Sequence, residues 1–214
     1  MFRNRIFQIG LLLTVLVVLY FIFFDGGGSG SSGNGSERID PESYRRQVTE
    51  ERQKKDEYFR TNSASPLSDK AAFNGLTYYA PDLTYRVSAR VEPFADKSQK
   101  LIIRMTDGSE EVYTKYAHVA FSLEGSVHRL LMLQHDGNLS ILFRDATSGK
   151  ETYGGGRYLD VEPKEINNNR VVLDFNAAYN PYCAYNPDYA CPLPPAENTL
   201  PVAIRAGEKY VDSH

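Results

Sequence analysis

The sequence predicts a mostly β protein: an antiparallel meander forming a sandwich or partly open barrel. One amphipathic helix precedes the strands, and an N-terminal transmembrane helix precedes that. Three observations carry this expectation. From Phe73 onward the apolar period changes from 3.6 to 2, as in Tyr85-Arg86-Val87-Ser88-Ala89-Arg90-Val91-Glu92. The turn dipeptides Asp107-Gly108 and Asp136-Gly137 separate apolar runs at hairpin spacing. Strands do not alternate with helical stretches, which argues against a doubly wound fold.

Taken in order, the chain begins with Arg3 and Arg5, followed by the uncharged run Ile6 to Phe24. As a helix that run spans about 28 Å, close to the ~30 Å hydrocarbon core of a bilayer. No small-residue cleavage site follows Phe23-Phe24-Asp25, so an uncleaved anchor is expected over a signal peptide. The preceding arginines keep the N-terminus cytoplasmic and send the remainder across, to the periplasm or cell surface. Residues 1–25 are thus read as cytoplasmic tip and anchor, and 26–36 (GGGSGSSGNGS) as a flexible tether reaching roughly 18 Å. Residues 37–214 are read as one extracytoplasmic domain. Asp40-Pro41-Glu42 starts a helix that runs to about Arg60, with Tyr44, Val48, Arg52, Lys55 and Phe59 on one face. Charges of both signs predict a largely solvated helix that docks by Tyr44, Val48, Tyr58 and Phe59.

Leu101 to Met105 and Glu111 to Thr114 flank Asp107-Gly108 as a hairpin with a two-residue turn. Ala117, Val119, Phe121 and Leu123 alternate as a further strand. Val127 to Gln134 and Leu139 to Arg144 flank Asp136-Gly137. Tyr158 to Val161, Val171 to Phe175 and Val202 to Arg205 complete an expected nine or ten short strands. Asp174 to Asn198 breaks all periodicity with four tyrosines, five prolines and both cysteines, and reads as an ordered loop pinned onto the sheet.

Charge and motif content exclude several functions. The net charge is −3, and the part after residue 36 carries −4, so no basic field exists for nucleic acid. Gly149-Lys150 lacks the rest of a phosphate loop, and no nucleophile elbow occurs. His118, His128 and His135 lack ligand spacing, and Cys183 and Cys191 have no flanking histidine, so neither a metal nor a cofactor is expected. Beyond a membrane those two cysteines are expected to form a disulfide. The segment from Arg144 to Asp160 holds three consecutive glycines between Arg144 and Arg157, two guanidinium forks able to grip carboxylates. Asp145, Asp160 and Asp174 are their expected partners within the chain. The alternative is a cleft in which one arginine waits for an anion.

The stretches FRDATSGKETYGGGRYLD and DFNAAYNPYCAYNPDYACPLPPAENTLPVAIRAGEK, with SPL…FNGLTYY before them, resemble the uncharacterised prokaryotic domain-of-unknown-function family numbered sixteen eighty-four. The resemblance spans about Tyr44 to Lys209. It implies one domain, often exported, identified by Arg157-Tyr158, Asp174-Phe175-Asn176 and Glu197-Asn198, and it implies no catalytic residue, substrate or cofactor.

The expected function is a binding or interaction module for an envelope glycan or a protein partner, since tyrosines beside amides and carboxylates offer apolar faces with polar edges. The candidate ligand-binding residues are Arg144, Asp145, Arg157, Tyr158, Asp174, Asn176, Tyr179, Asn180, Tyr182, Tyr185, Glu197, Asn198 and Glu208. Two other readings stand beside it. One is a hydrolase drawing a carboxylate pair from Asp174, Glu197 and Glu208, which requires two of them in one cleft. The other is a structural partner domain, which requires buried tyrosines and no pocket beneath them.

Overall fold

A computed structural model describes residues 39–210, so the expected anchor and tether lie outside the described residues. Among the described residues no helix is long and apolar enough to cross a membrane. Helix α1, Pro41–Thr61, starts where the sequence places it: the Asp40 carboxylate accepts from the Ser43 amide at 2.9 Å and proline fills the first turn. Tyr44, Val48 and Phe59 are buried, and Arg52 and Lys55 lie half-buried between them on the same face. The docked face thus carries two cations between its apolar ends, as the helical spacing placed them, while Tyr58 stays half-exposed.

Seven strands follow: β1 (Arg86–Pro93), β2 (Lys100–Arg104), β3 (Glu110–Leu123), β4 (Ser126–His135), β5 (Asn138–Phe143), β6 (Arg157–Val161) and β7 (Arg170–Asp174). All pair antiparallel in one sheet of order β6-β5-β4-β3-β1-β7, with β2 beside the first half of β3. The sheet curls into a half-barrel, the more open of the forms the alternation allowed. The β4–β5 hairpin turns through Asp136-Gly137 with φ of 47° and 83°, the doubly left-handed turn that asparagine, aspartate and glycine favour. The β2–β3 connection is longer than the two-residue turn expected. The Met105 amide donates to the Ser109 carbonyl, leaving Thr106-Asp107-Gly108 as the loop, with Gly108 at φ 88°.

Two expected strands, Glu111 to Thr114 and Ala117 to Leu123, are one. The β3–β4 register slips between Lys115 and Ala117, so Tyr116 is an extra residue that bends a continuous strand. Its first half pairs with β2 and its second with β1. The bulge thus turns a meander into a branched sheet. The expected strand Val202 to Arg205 does not form. Its carbonyls serve other groups: Val202 O accepts from the Ala146 amide and Ile204 O from the Arg157 guanidinium.

Strand alternation packs one core from Val91, Val119, Phe121, Leu130, Met132, Ile141, Phe143, Leu173 and Phe175. A smaller cluster, Ile103, Tyr113, Leu131, Leu133, Leu142 and Tyr158, packs separately. Leu130 to Leu133 are buried without a break, so β4 is covered on both faces, as a central strand should be.

Candidate functional site

The stretch Asp174 to Asn198 is ordered and, past the last residue of β7, contains no further helix or strand beyond single 3-10 turns at Phe175–Ala177, Tyr182–Ala184 and Ala196–Asn198. Backbone bonds pin it at three places. Tyr179 exchanges both hydrogen bonds with Tyr158 on β6; the Leu193 amide donates to Arg104 O; and Thr106 donates to Cys191 O. Cys183 and Cys191, expected to be bridged, are free thiols. The Cys183 amide donates to Cys191 Sγ at 3.1 Å, and the two thiols hydrogen-bond each other. The strand-like bonds to β2 and β6 supply the anchoring assigned to a covalent link. The bond from Cys191, aided by the Tyr153 hydroxyl, lowers the Cys183 pKa to about 7, while the same sharing raises Cys191.

Several candidate residues are internal fittings. Arg157 is 1% exposed and pairs with Asp145 at 2.7 Å; its other NH group bonds the carbonyls of Ala206 and Glu208. That is the internal Arg–Asp network, with burial pushing the Arg157 pKa down and Asp145 opposing it. Arg144 bonds Asn198 and Leu200 through its backbone and joins neither the groove nor the cavity described below. The glycine run serves the chain's own packing: Gly156 sits at φ 95°, and a Cβ there would meet the Pro194 ring at 2.6 Å and Phe143 O at 2.7 Å.

Asn198 is wholly buried and replaces sheet bonds. The β4–β5 ladder runs only from Leu133↔Ser140 to His135↔Asn138. Beyond it the Asn198 amide accepts from Leu131 N and donates to Leu131 O and Leu142 O, at 2.6 to 2.9 Å. Asn176 likewise ties Asp82 to Asp174, and Asn180 ties Tyr185 to Lys209 O. Tyr185 packs edge-on against Phe59 at 5.2 Å and donates to Glu208, so it belongs to the interior.

The three carboxylates proposed as a catalytic set divide. Glu197 lies apart, 2.9 Å from His118 Nε2, and the Phe94 ring packs against the same imidazole. Asp174 and Glu208 line one cavity beside α1, but both are occupied. Glu208 is 1% exposed and accepts from Lys55, the Asn180 amide and the Tyr185 hydroxyl. Asp174 accepts from the Tyr44 hydroxyl on both oxygens and from Asn176.

One of the spaces that the loop leaves open is a groove of about 430 Å³ lined by Tyr158, Tyr179, Pro181, Tyr182, Tyr189, Ala190 and Cys191, with Lys55 from α1. The tyrosines form two edge-to-face pairs, Tyr158–Tyr179 at 5.8 Å and Tyr182–Tyr189 at 5.4 Å. Three hydroxyls are tied back, Tyr158 to Pro192 O, Tyr179 to Asp160 and Tyr182 to the Tyr58 hydroxyl. Burial, reinforced by Tyr58, pushes Tyr182 up to about 12, so the phenol stays neutral. The Lys55 ammonium stands 4.6 Å from the Tyr179 ring centre while bonded to Glu208. Sequence reasoning named Tyr158, Tyr179 and Tyr182 but missed Tyr189 and Lys55. Lys55 was visible only as a cation interrupting an apolar helix face.

No curated protein matches this chain. A solved structure does: the solution NMR structure of an uncharacterised protein from gene locus rrnAC0354 of Haloarcula marismortui. It is 33% identical, with a TM-score of 0.63, and the alignment covers 81% of this chain and 97% of that one. The family model described as "Protein of unknown function (DUF1684)" matches residues 71–209, starting after α1 rather than at Tyr44. With more than half of its length matched, from the segment before β1 through the pinned loop, the chain belongs to the DUF1684 family.

Proposed function

We propose that this protein is a non-enzymatic binding module held outside the cytoplasm by its Ile6 to Phe24 segment, and that the tyrosine groove takes a glycan of the cell envelope. The observation that carries the reading is the open groove with four tyrosines at the edge of the pinned loop. A sugar ring presents an apolar C–H face with hydroxyls around its rim. The half-exposed rings of Tyr182 and Tyr189 suit the face, and Lys55 suits the rim. A domain whose loop served only as a cover would bury those rings and leave no such space. The hydrolase reading has less support, because Asp174 and Glu208 already hold a full set of donors and Glu197 is remote from them. A general acid or base needs a free position for its proton.

Replacing Tyr182 and Tyr189 together with alanine should weaken co-sedimentation with isolated envelope polysaccharide about tenfold or more, at roughly 1 kcal/mol per ring. Circular dichroism should stay unchanged, since neither ring lies in the main core. Undiminished binding by the folded double variant would remove the proposal. Binding to a peptide library but not to polysaccharide would move the ligand class to an extended protein segment.

A further inference from the structure

A second site, independent of the groove reading, lies beside α1. It is a cavity of about 140 Å³ lined by Arg52, Lys55, Tyr78, Asp174, Asn176 and Glu208, among others. Its acceptors are satisfied, as shown above for Asp174 and Glu208. Its donors are not: the Arg52 Nε–H and the Tyr78 hydroxyl are buried and have no hydrogen-bond partner. Arg52 is held in place by Tyr79 O at 2.8 Å and Asn176 O at 3.3 Å, and its guanidinium lies 4.4 Å from the Tyr78 ring centre. Both fixed contacts are to neutral carbonyls, and no ion pair of Arg52 occurs among the described residues. The neighbouring cation differs in this respect: Lys55 is neutralised by Glu208.

A sealed Nε–H with no acceptor, on a half-buried guanidinium that has no ion pair among the described residues, is costly beside an unused buried hydroxyl unless an acceptor enters. Water can fill the space, but it brings no charge. We infer that this cavity binds the carboxylate of a small organic acid, received by Arg52 Nε–H and the Tyr78 hydroxyl. The volume sets the size. At about 30 Å³ per water it equals roughly five waters, and a cavity of ~150 Å³ accommodates benzene, so the ligand has at most about six heavy atoms. A carboxylate is favoured over a compact divalent oxyanion because Asp174, Glu208 and Glu51 also line the cavity and oppose a second negative charge.

The experiment is an acetate titration of the full chain in a mild non-ionic detergent. It is followed by the ¹⁵N–¹H correlation of Arg52 Nε and by isothermal calorimetry, with acetamide as the uncharged isostere. Acetate should shift the Arg52 Nε–H signal with a Kd near about 1 mM, reasonable for so few atoms, and acetamide should bind at least about tenfold more weakly. Tyr78→Phe removes only the partnerless hydroxyl, keeps the ring under Arg52, and should weaken acetate about tenfold. Arg52→Gln should abolish the response. Because that variant also loses two structural bonds, Tyr78→Phe decides the matter if Arg52→Gln fails to fold. Equal responses to acetate and acetamide, or acetate affinity unchanged in Tyr78→Phe, would overturn the inference. Neither result bears on glycan binding at the groove, whose variants lie elsewhere.

Discussion

The Cys183–Cys191 pair shows how little distance separates two chemical states. The two free thiols lie side by side, with the Cys183 amide donating to Cys191 Sγ at 3.1 Å. An ordinary cysteine here would titrate at 9, whereas Cys183 is lowered to about 7 by the bond from Cys191. A depressed pKa means the thiolate is present over the window from about 7 to 9, where an unperturbed thiol remains protonated. Iodoacetamide should therefore alkylate Cys183 in the folded protein with a midpoint near pH 7, with Cys191 reacting far more slowly. Mass spectrometry of peptides quenched across a pH series reads this directly. A midpoint near 9 at Cys183, or faster labelling of Cys191, would contradict the assignment. Arg157 and Asp145 illustrate a different residue-level economy. Two arginines looked equally available in the sequence, yet Arg157 is consumed by Asp145 and three carbonyls. Arg52, unremarkable in a charged helix, is a half-buried cation with no ion pair among the described residues and a partnerless Nε–H.

At the scale of elements, the sheet depends on insertions that local pattern does not announce. Asn198 spans the gap where β4 and β5 part, making bonds to three backbone groups. Asn198→Ala should cost about 2–4 kcal/mol, since Leu131 and Leu142 would keep buried polar groups without partners. Chemical denaturation should show that loss, and a cost below about 1 kcal/mol would mean that the strands re-pair without it. Strand identity was legible where the cause is local. Alternation at Val87 to Val91 and the Asp136-Gly137 turn act within a few residues, and both elements formed as read. The Tyr116 bulge was not legible, because an extra residue leaves alternation intact on either side and shows only in the register with β4. Val202 to Arg205 misled for the converse reason. Its apolar character serves packing, while its carbonyls serve Arg157 and Ala146.

For the whole molecule, the site was half legible. Tyrosine and proline density located the loop, and Tyr158, Tyr179 and Tyr182 do line a groove. Tyr185, Asn176, Asn180 and Asn198 were indistinguishable from them in composition but are structural links, a difference set by contacts with α1, β4, β5 and residues 208–209 that are far away in sequence. The molecule therefore depends on a rigid irregular segment anchored by hydrogen bonds rather than by a covalent bridge, with the groove formed before any ligand arrives. Native-state hydrogen exchange under reducing conditions tests this most directly. The amides of Tyr179, Asn180 and Leu193, bonded to Tyr158 O, Glu208 and Arg104 O, should exchange as slowly as those of β4. Exchange of these three at the rate of an unprotected chain would contradict it.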